Sequence, residues 1–171
     1  LKDKNVVIIE ASEGLDLIEY NVKEDHAKED EHKDHNHDHE DYDPHIWMDP
    51  FNAQKIAEKI KEAFVELNPD NIGTYEGNFI SFQKQLEKLD EDFKEGLKDA
   101  VGKKIIVSHS AFGYLAHRYD IGEISVSGIS PHEEPSPARL AELTKKAKEH
   151  NIQHIFFEVL ANPKTAELLA E

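Results

Sequence analysis

Apolar side chains recur at Ile72, Tyr75, Phe79, Phe82, Leu86, Leu89, Phe93 and Leu97. Steps of three and four residues put them on one stripe of a helix over about residues 70–98. At 1.5 Å per residue that helix would be roughly 45 Å long, more than one compact lobe needs. The stripe therefore serves either a coiled coil or a spine behind two lobes. Gly73 and Gly77 weaken its start and allow a break there. Just upstream, Ile56, Ile60, Phe64 and Leu67 predict a second amphipathic helix, about residues 50–67. Asp49 is a good N-cap for it, Pro50 suits its first position, and Asn68-Pro69 ends it. The run KNVVIIEAS predicts a buried strand at about residues 5–10, and EGLDLIEY a loop or short helix.

Beyond residue 98 the pattern changes to alternating short elements. KKIIVS, GEISVSG and HIFFEV read as strands. SAFGYLAHRY, SPARLAELTKKAKEH (opened by Ser136 and Pro137) and NPKTAELLAE read as helices. Such alternation predicts a parallel sheet covered by helices, hence an α/β fold.

Residues 24–43 break both patterns. They hold ten Asp/Glu, two Lys and five His, with one aromatic and no aliphatic larger than alanine. Such a segment cannot offset its own ordering entropy and is expected to be a mobile loop. It carries half of the chain's formal charge of −16. An acidic balance of this size argues against a nucleic-acid backbone or an anionic membrane as partner and favours a cation. The 171 residues include no cysteine. Disulfides and thiolate metal sites are thereby excluded, and borderline-metal chemistry must run through imidazole with oxygen in support. No apolar run approaches the roughly 20 residues of a membrane span.

Chemistry concentrates at a few histidines. His109 stands where KKIIVSH passes from strand to helix, and in open α/β sheets ligands gather at the carboxyl ends of strands. It reads either as a metal ligand or as an ordinary neighbour of a helix start. His45 is bracketed by Pro44 and Pro50 just ahead of a capped helix. That rigid display suits a pre-placed ligand, and equally an ordinary turn histidine. Glu158 ends the strand HIFFE, level with His109, where a carboxylate could orient an imidazole or cap a turn. His132, Glu133 and Glu134 share a Pro-rich loop of the kind that is usually just solvated. His117, His150 and His154 fall in helix or strand patterns and read as structural or surface residues. His26, His32, His35, His37 and His39 lack fixed geometry; a tract of this kind holds divalent metals weakly or serves only as a solvated linker. No nucleophile elbow, phosphate loop or HExxH helix is present.

The segments DPHIWMDP and VSHSAFGYLAHRY, with SGISPHEEPSPARL and FFEVLANPKTAELLAE, resemble the zinc-type metal-binding subunits of bacterial ABC importers, the cluster A-I or cluster 9 solute-binding proteins. An acidic, His-rich loop just before DPHIWMDP is a hallmark of the zinc members. The resemblance runs over essentially the whole chain. It implies two α/β lobes joined by one long helix, with metal in the cleft between them. On that pattern residues 1–69 are a partial amino-terminal lobe, 70–98 the linking helix and 99–171 a carboxyl-terminal lobe cut short at its end.

Residue by residue, the resemblance makes His45 the ligand of the first lobe and His109 a ligand of the second. Manganese-carrying relatives typically have Glu at the position of His109, so Zn2+ is expected over Mn2+. The relatives' further histidine, from upstream, and their acidic ligand, from beyond residue 171, have no counterpart here, which marks the chain as a fragment. The loop histidines become an accessory collector. The implied function is capture of Zn2+ outside the cytoplasm, in the periplasm or as a cell-surface lipoprotein, and delivery to an ABC permease. Two alternatives stand beside it. A zinc-dependent adhesin would use the long stripe for assembly. A metal-dependent hydrolase built on His45, His109 and Glu158 ranks last, because no general base pairs with an open coordination position, and an enzyme is not expected.

Overall fold

In the computed structural model the described residues are 6–20, 42–129 and 135–158. The loop histidines His26, His32, His35, His37 and His39, the trio His132, Glu133 and Glu134, and the helix expected from NPKTAELLAE lie outside them. The chain divides into two compact units, residues 1–17 with 46–98, and residues 18–45 with 99–171.

The first unit is helical. A 3₁₀ turn at Ile46–Met48 precedes α1, Pro50–Leu67. Asp49 caps α1, its side chain accepting a 2.7 Å hydrogen bond from the Phe51 N–H, and Pro50 supplies the first-turn residue that needs no partner. A second 3₁₀ turn, Pro69–Asn71, leads into α2, Ile72–Leu97, which runs unbroken through Gly73 and Gly77. The two helices pack through Phe64 stacked on Tyr75, ring centres 5.4 Å apart. Their stripes are covered only in part. Leu86 is buried, whereas Ile60, Phe64, Leu67, Ile72, Phe82 and Leu89 are exposed.

The strand expected at residues 5–10 is not formed. Residues 6–10 take no regular structure, and Val6, Val7, Ile8 and Ile9 are exposed. A strand persists only where a neighbour takes up its backbone hydrogen bonds, and among the described residues this unit contains no other strand.

The second unit holds a three-stranded parallel sheet in the order β2-β1-β3: β1 is Lys104–Val107, β2 Gly122–Ser125 and β3 Ile155–Phe156. Between them run α3, Gly113–Arg118, and α4, Pro137–Glu149. Ser136 caps α4 by accepting from the Arg139 N–H. Both helices stop in the same way. After α3, Asp120 adopts a left-handed conformation at φ 53°, its N–H facing the His117 carbonyl while Ile121 N–H bonds to Ala116 O. After α4, Asn151 at φ 50° does likewise, with Ile152 N–H on Ala147 O. These are Schellman ends, and Asp and Asn tolerate the left-handed region better than most residues. They turn each helix directly into the next strand. Ile106, Ile124, Val126 and Leu143 form the core, with Ile106 and Leu143 fully buried. Among the described residues no helix is long and apolar enough to cross a membrane.

Candidate metal site

Because β1 lies between β2 and β3, the chain leaves β1 toward one side and returns on the other. Ligands collect at the carboxyl ends of strands at such a reversal. Val107 pairs with Phe156, so the residues just beyond, Ser108 and His109 on β1 and Glu158 on β3, emerge together. Ser108 Oγ donates to Glu158 Oε1 at 2.7 Å, and the same oxygen meets His109 Nδ1. Ser108 and His109 are buried, while Glu158 keeps contact with solvent.

His45 reaches the same place from the other segment of the unit. Asp43 Oδ1 accepts both the His45 backbone N–H, at 2.9 Å, and the His45 Nδ1 hydrogen, at 2.7 Å. Asp43 is itself fixed. Its N–H donates to Ile18 O at 2.9 Å, and its carbonyl accepts from the Tyr114 hydroxyl at 3.0 Å, which in turn accepts from Ile18 N–H. The His45 and His109 rings stand edge to face, centres 5.5 Å apart and planes 72° apart.

In each histidine a carboxylate engages Nδ1. The proton is thereby held on Nδ1, and Nε2 is left as a lone-pair donor. Two imidazoles bound to one ion at about 2.0–2.1 Å with tetrahedral angles would have ring centres about 5 Å apart. The observed separation is close to that value. Among the described residues no three His, Asp or Glu side chains are arranged to hold one ion together.

Sequence reasoning missed Asp43 and Gly113. The signal for Asp43 was present, since an acid two residues before a histidine can fold back onto its ring. Gly113 opens α3 against Asp43: a Cβ built there would lie 2.8 Å from Asp43 Oδ2. Gly113→Ala is therefore expected to push Asp43 off His45 and lower stability by about 1–2 kcal/mol, read as a shifted urea midpoint. An unchanged midpoint would show that Asp43 has room to yield. His117, His150 and His154 are exposed, His150 facing Lys104 Nζ.

The family model described as zinc-uptake complex component A, periplasmic (ZnuA), matches residues 1–171. The chain is 43% identical over 166 residues to the high-affinity zinc uptake system protein ZnuA of Bacillus subtilis, covering 97% of this chain and 51% of that protein. It is 39% identical over 133 residues to the zinc-binding lipoprotein AdcA of Streptococcus pneumoniae, covering 78% of this chain and 26% of that protein. Among solved structures it resembles the laminin-binding protein Lmb of Streptococcus agalactiae, described as bifunctional with adhesin and metal-transporting activity. That match has a TM-score of 0.78 at 33% identity and covers 95% of this chain and 56% of that one. The chain thus spans about half the length of the first of these relatives and about a quarter of the second. A match from the first residue to the last, containing both histidine motifs, places the chain in the ZnuA family of zinc-uptake components.

Proposed function

We propose that the protein is the zinc-capturing component of an ABC-type importer, binding Zn2+ outside the cytoplasm and passing it to a membrane permease. The observation that carries this reading is the pair His45 and His109, with ring centres 5.5 Å apart and each Nδ1 engaged by a carboxylate. Imidazole donors without thiolates suit Zn2+, whereas a set dominated by oxygen would suit Mn2+. The remaining ligands come from outside the described residues or from solvent. A binding role is what the relatives' names describe, zinc uptake and zinc binding. The extracytoplasmic location follows the family's description as periplasmic and the lipoprotein relative.

A second reading, adhesion to a surface partner, is favoured by the exposed apolar residues of α1 and α2 and by the likeness to Lmb. It is compatible with zinc capture.

Calorimetric titration of the full chain tests the proposal. Zn2+ is expected to bind at one tight site, at least about tenfold more tightly than Mn2+. No measurable zinc binding, or tighter manganese binding, would overturn the reading.

A further inference from the structure

The side chain of Glu123 reaches from β2 to the turn that follows His109. Its Oε1 is shut off from solvent and has no hydrogen-bond partner. The carboxyl group also engages the backbone N–H groups of Phe112 and Ala111 and the Ser110 side chain. Those three residues form the turn that follows His109 and opens α3. The helix has no capping side chain of its own, Phe112 occupying the cap position. The first N–H groups of a helix need partners from elsewhere, and Glu123 takes up that of the cap residue, Phe112, from across the sheet. On its other side, Glu123 Oε2 and Asp43 Oδ2 both come within 4 Å of the point where a side chain on Gly113 would begin. One buried carboxyl group therefore touches the turn carrying His109 and lies beside the carboxylate orienting His45.

We infer that Glu123 is a positioning residue for the histidine pair, setting the Ser110–Phe112 turn behind His109 and backing the Asp43 carboxylate that holds His45. The role rests on the zinc reading above for its consequence, but not for its geometry. Burial, reinforced by the nearby Asp43 charge and opposed by the hydrogen bonds from Phe112, Ser110 and Ala111, pushes the Glu123 carboxyl up to about 7. Below that value the carboxyl keeps its proton, and its amide is then its closest replacement. Glutamine keeps the shape and an acceptor oxygen, whereas leucine keeps only volume.

The full chain is compared with Glu123→Gln, Glu123→Leu and Ser110→Ala. One readout is amide hydrogen exchange at Ala111 and Phe112 without metal. The other is zinc affinity by chelator competition, with the Co2+ ligand-field spectrum alongside. Glu123→Leu is expected to speed exchange at those two amides at least about tenfold, to weaken zinc by about 10-fold or more, and to alter the cobalt spectrum. Glu123→Gln should exchange no faster than the parent and should keep affinity within about threefold of it, with the parent's spectrum. Should the leucine variant fail to fold, Ser110→Ala carries the test, with faster exchange at Ala111 and Phe112 expected. Unchanged exchange in a folded leucine variant, or in Ser110→Ala where that variant carries the test, overturns the inference. So does a glutamine variant as impaired as the leucine one. If the parent binds no zinc while the exchange pattern holds, the zinc reading fails and the positioning role stands.

Discussion

Alanine at His109 is expected to weaken zinc binding by about 100-fold. Zinc sites of four donors contribute about 10–16 kcal/mol in all, so one donor is worth about 3 kcal/mol, or about two orders of magnitude in Kd. His45→Ala should cost a similar amount. The rings stand edge to face, 5.5 Å apart, and would share one ion, so the double substitution should remove tight binding altogether. Glu158→Ala is a graded control. It removes the partner of His109 Nδ1 but no donor to the metal, and about 10-fold is the expected loss. Competition against a chromophoric chelator at fixed pH gives all four values. If both single histidine variants stay within about threefold of the parent, the pair is not the zinc site.

Glu123→Gln is expected to stabilise the second unit by up to about 3 kcal/mol at pH 8 while leaving it unchanged at pH 4. The folded carboxyl titrates at about 7, against an ordinary value of 4.5. Between these values the unfolded chain has already given up a proton that the fold retains, and fewer protons bound in the unfolded state means that stability falls as pH rises. The parent should therefore lose stability from about pH 4.5 to about pH 7 and level off on either side. Glutamine has no proton to lose, so this contribution to the slope should vanish and the two curves should diverge as pH rises. Urea midpoints of the two proteins across this range decide the matter. Parallel curves would mean that the carboxyl is more open to water than its surroundings in the fold imply.

Much of this arrangement was legible in the sequence because it follows from local rules. Asp49 with Pro50, and Ser136 with Pro137, announce helix starts through chemistry confined to one turn, and both helices begin there. The stripe from Ile72 to Leu97 announces α2. The β-branched runs announce β1 and β2. The placement of Glu158 beside His109 was foreseeable once the strands were taken as parallel, since each residue follows the end of its own strand. The failures are non-local. Val6 to Ile9 look like a strand by composition, but a strand depends on a partner that composition does not reveal. Asp43 and Glu123 looked like two acids among many, and their roles exist only because β2, α3 and the segment before α1 converge. Gly113 read as an ordinary glycine until Asp43 was seen against it.

The interleaving of the two units has a kinetic side. The bond from the Tyr114 hydroxyl to the Asp43 carbonyl closes a span of 71 residues, and the whole first helical unit except its leading segment lies inside that span. Closing a free coil of this length costs about 4 kcal/mol, to be met before any contact at the pair gives a return. Assembly of the two imidazoles is accordingly a late event on the folding path, and its rate depends on how far α1 and α2 have already shortened the intervening chain. A polypeptide exported unfolded would carry His45 and His109 as two separate weak donors. On the zinc reading proposed above, the two would become a chelating pair only after closure, so that tight binding would begin where the chain finishes folding rather than where it is made.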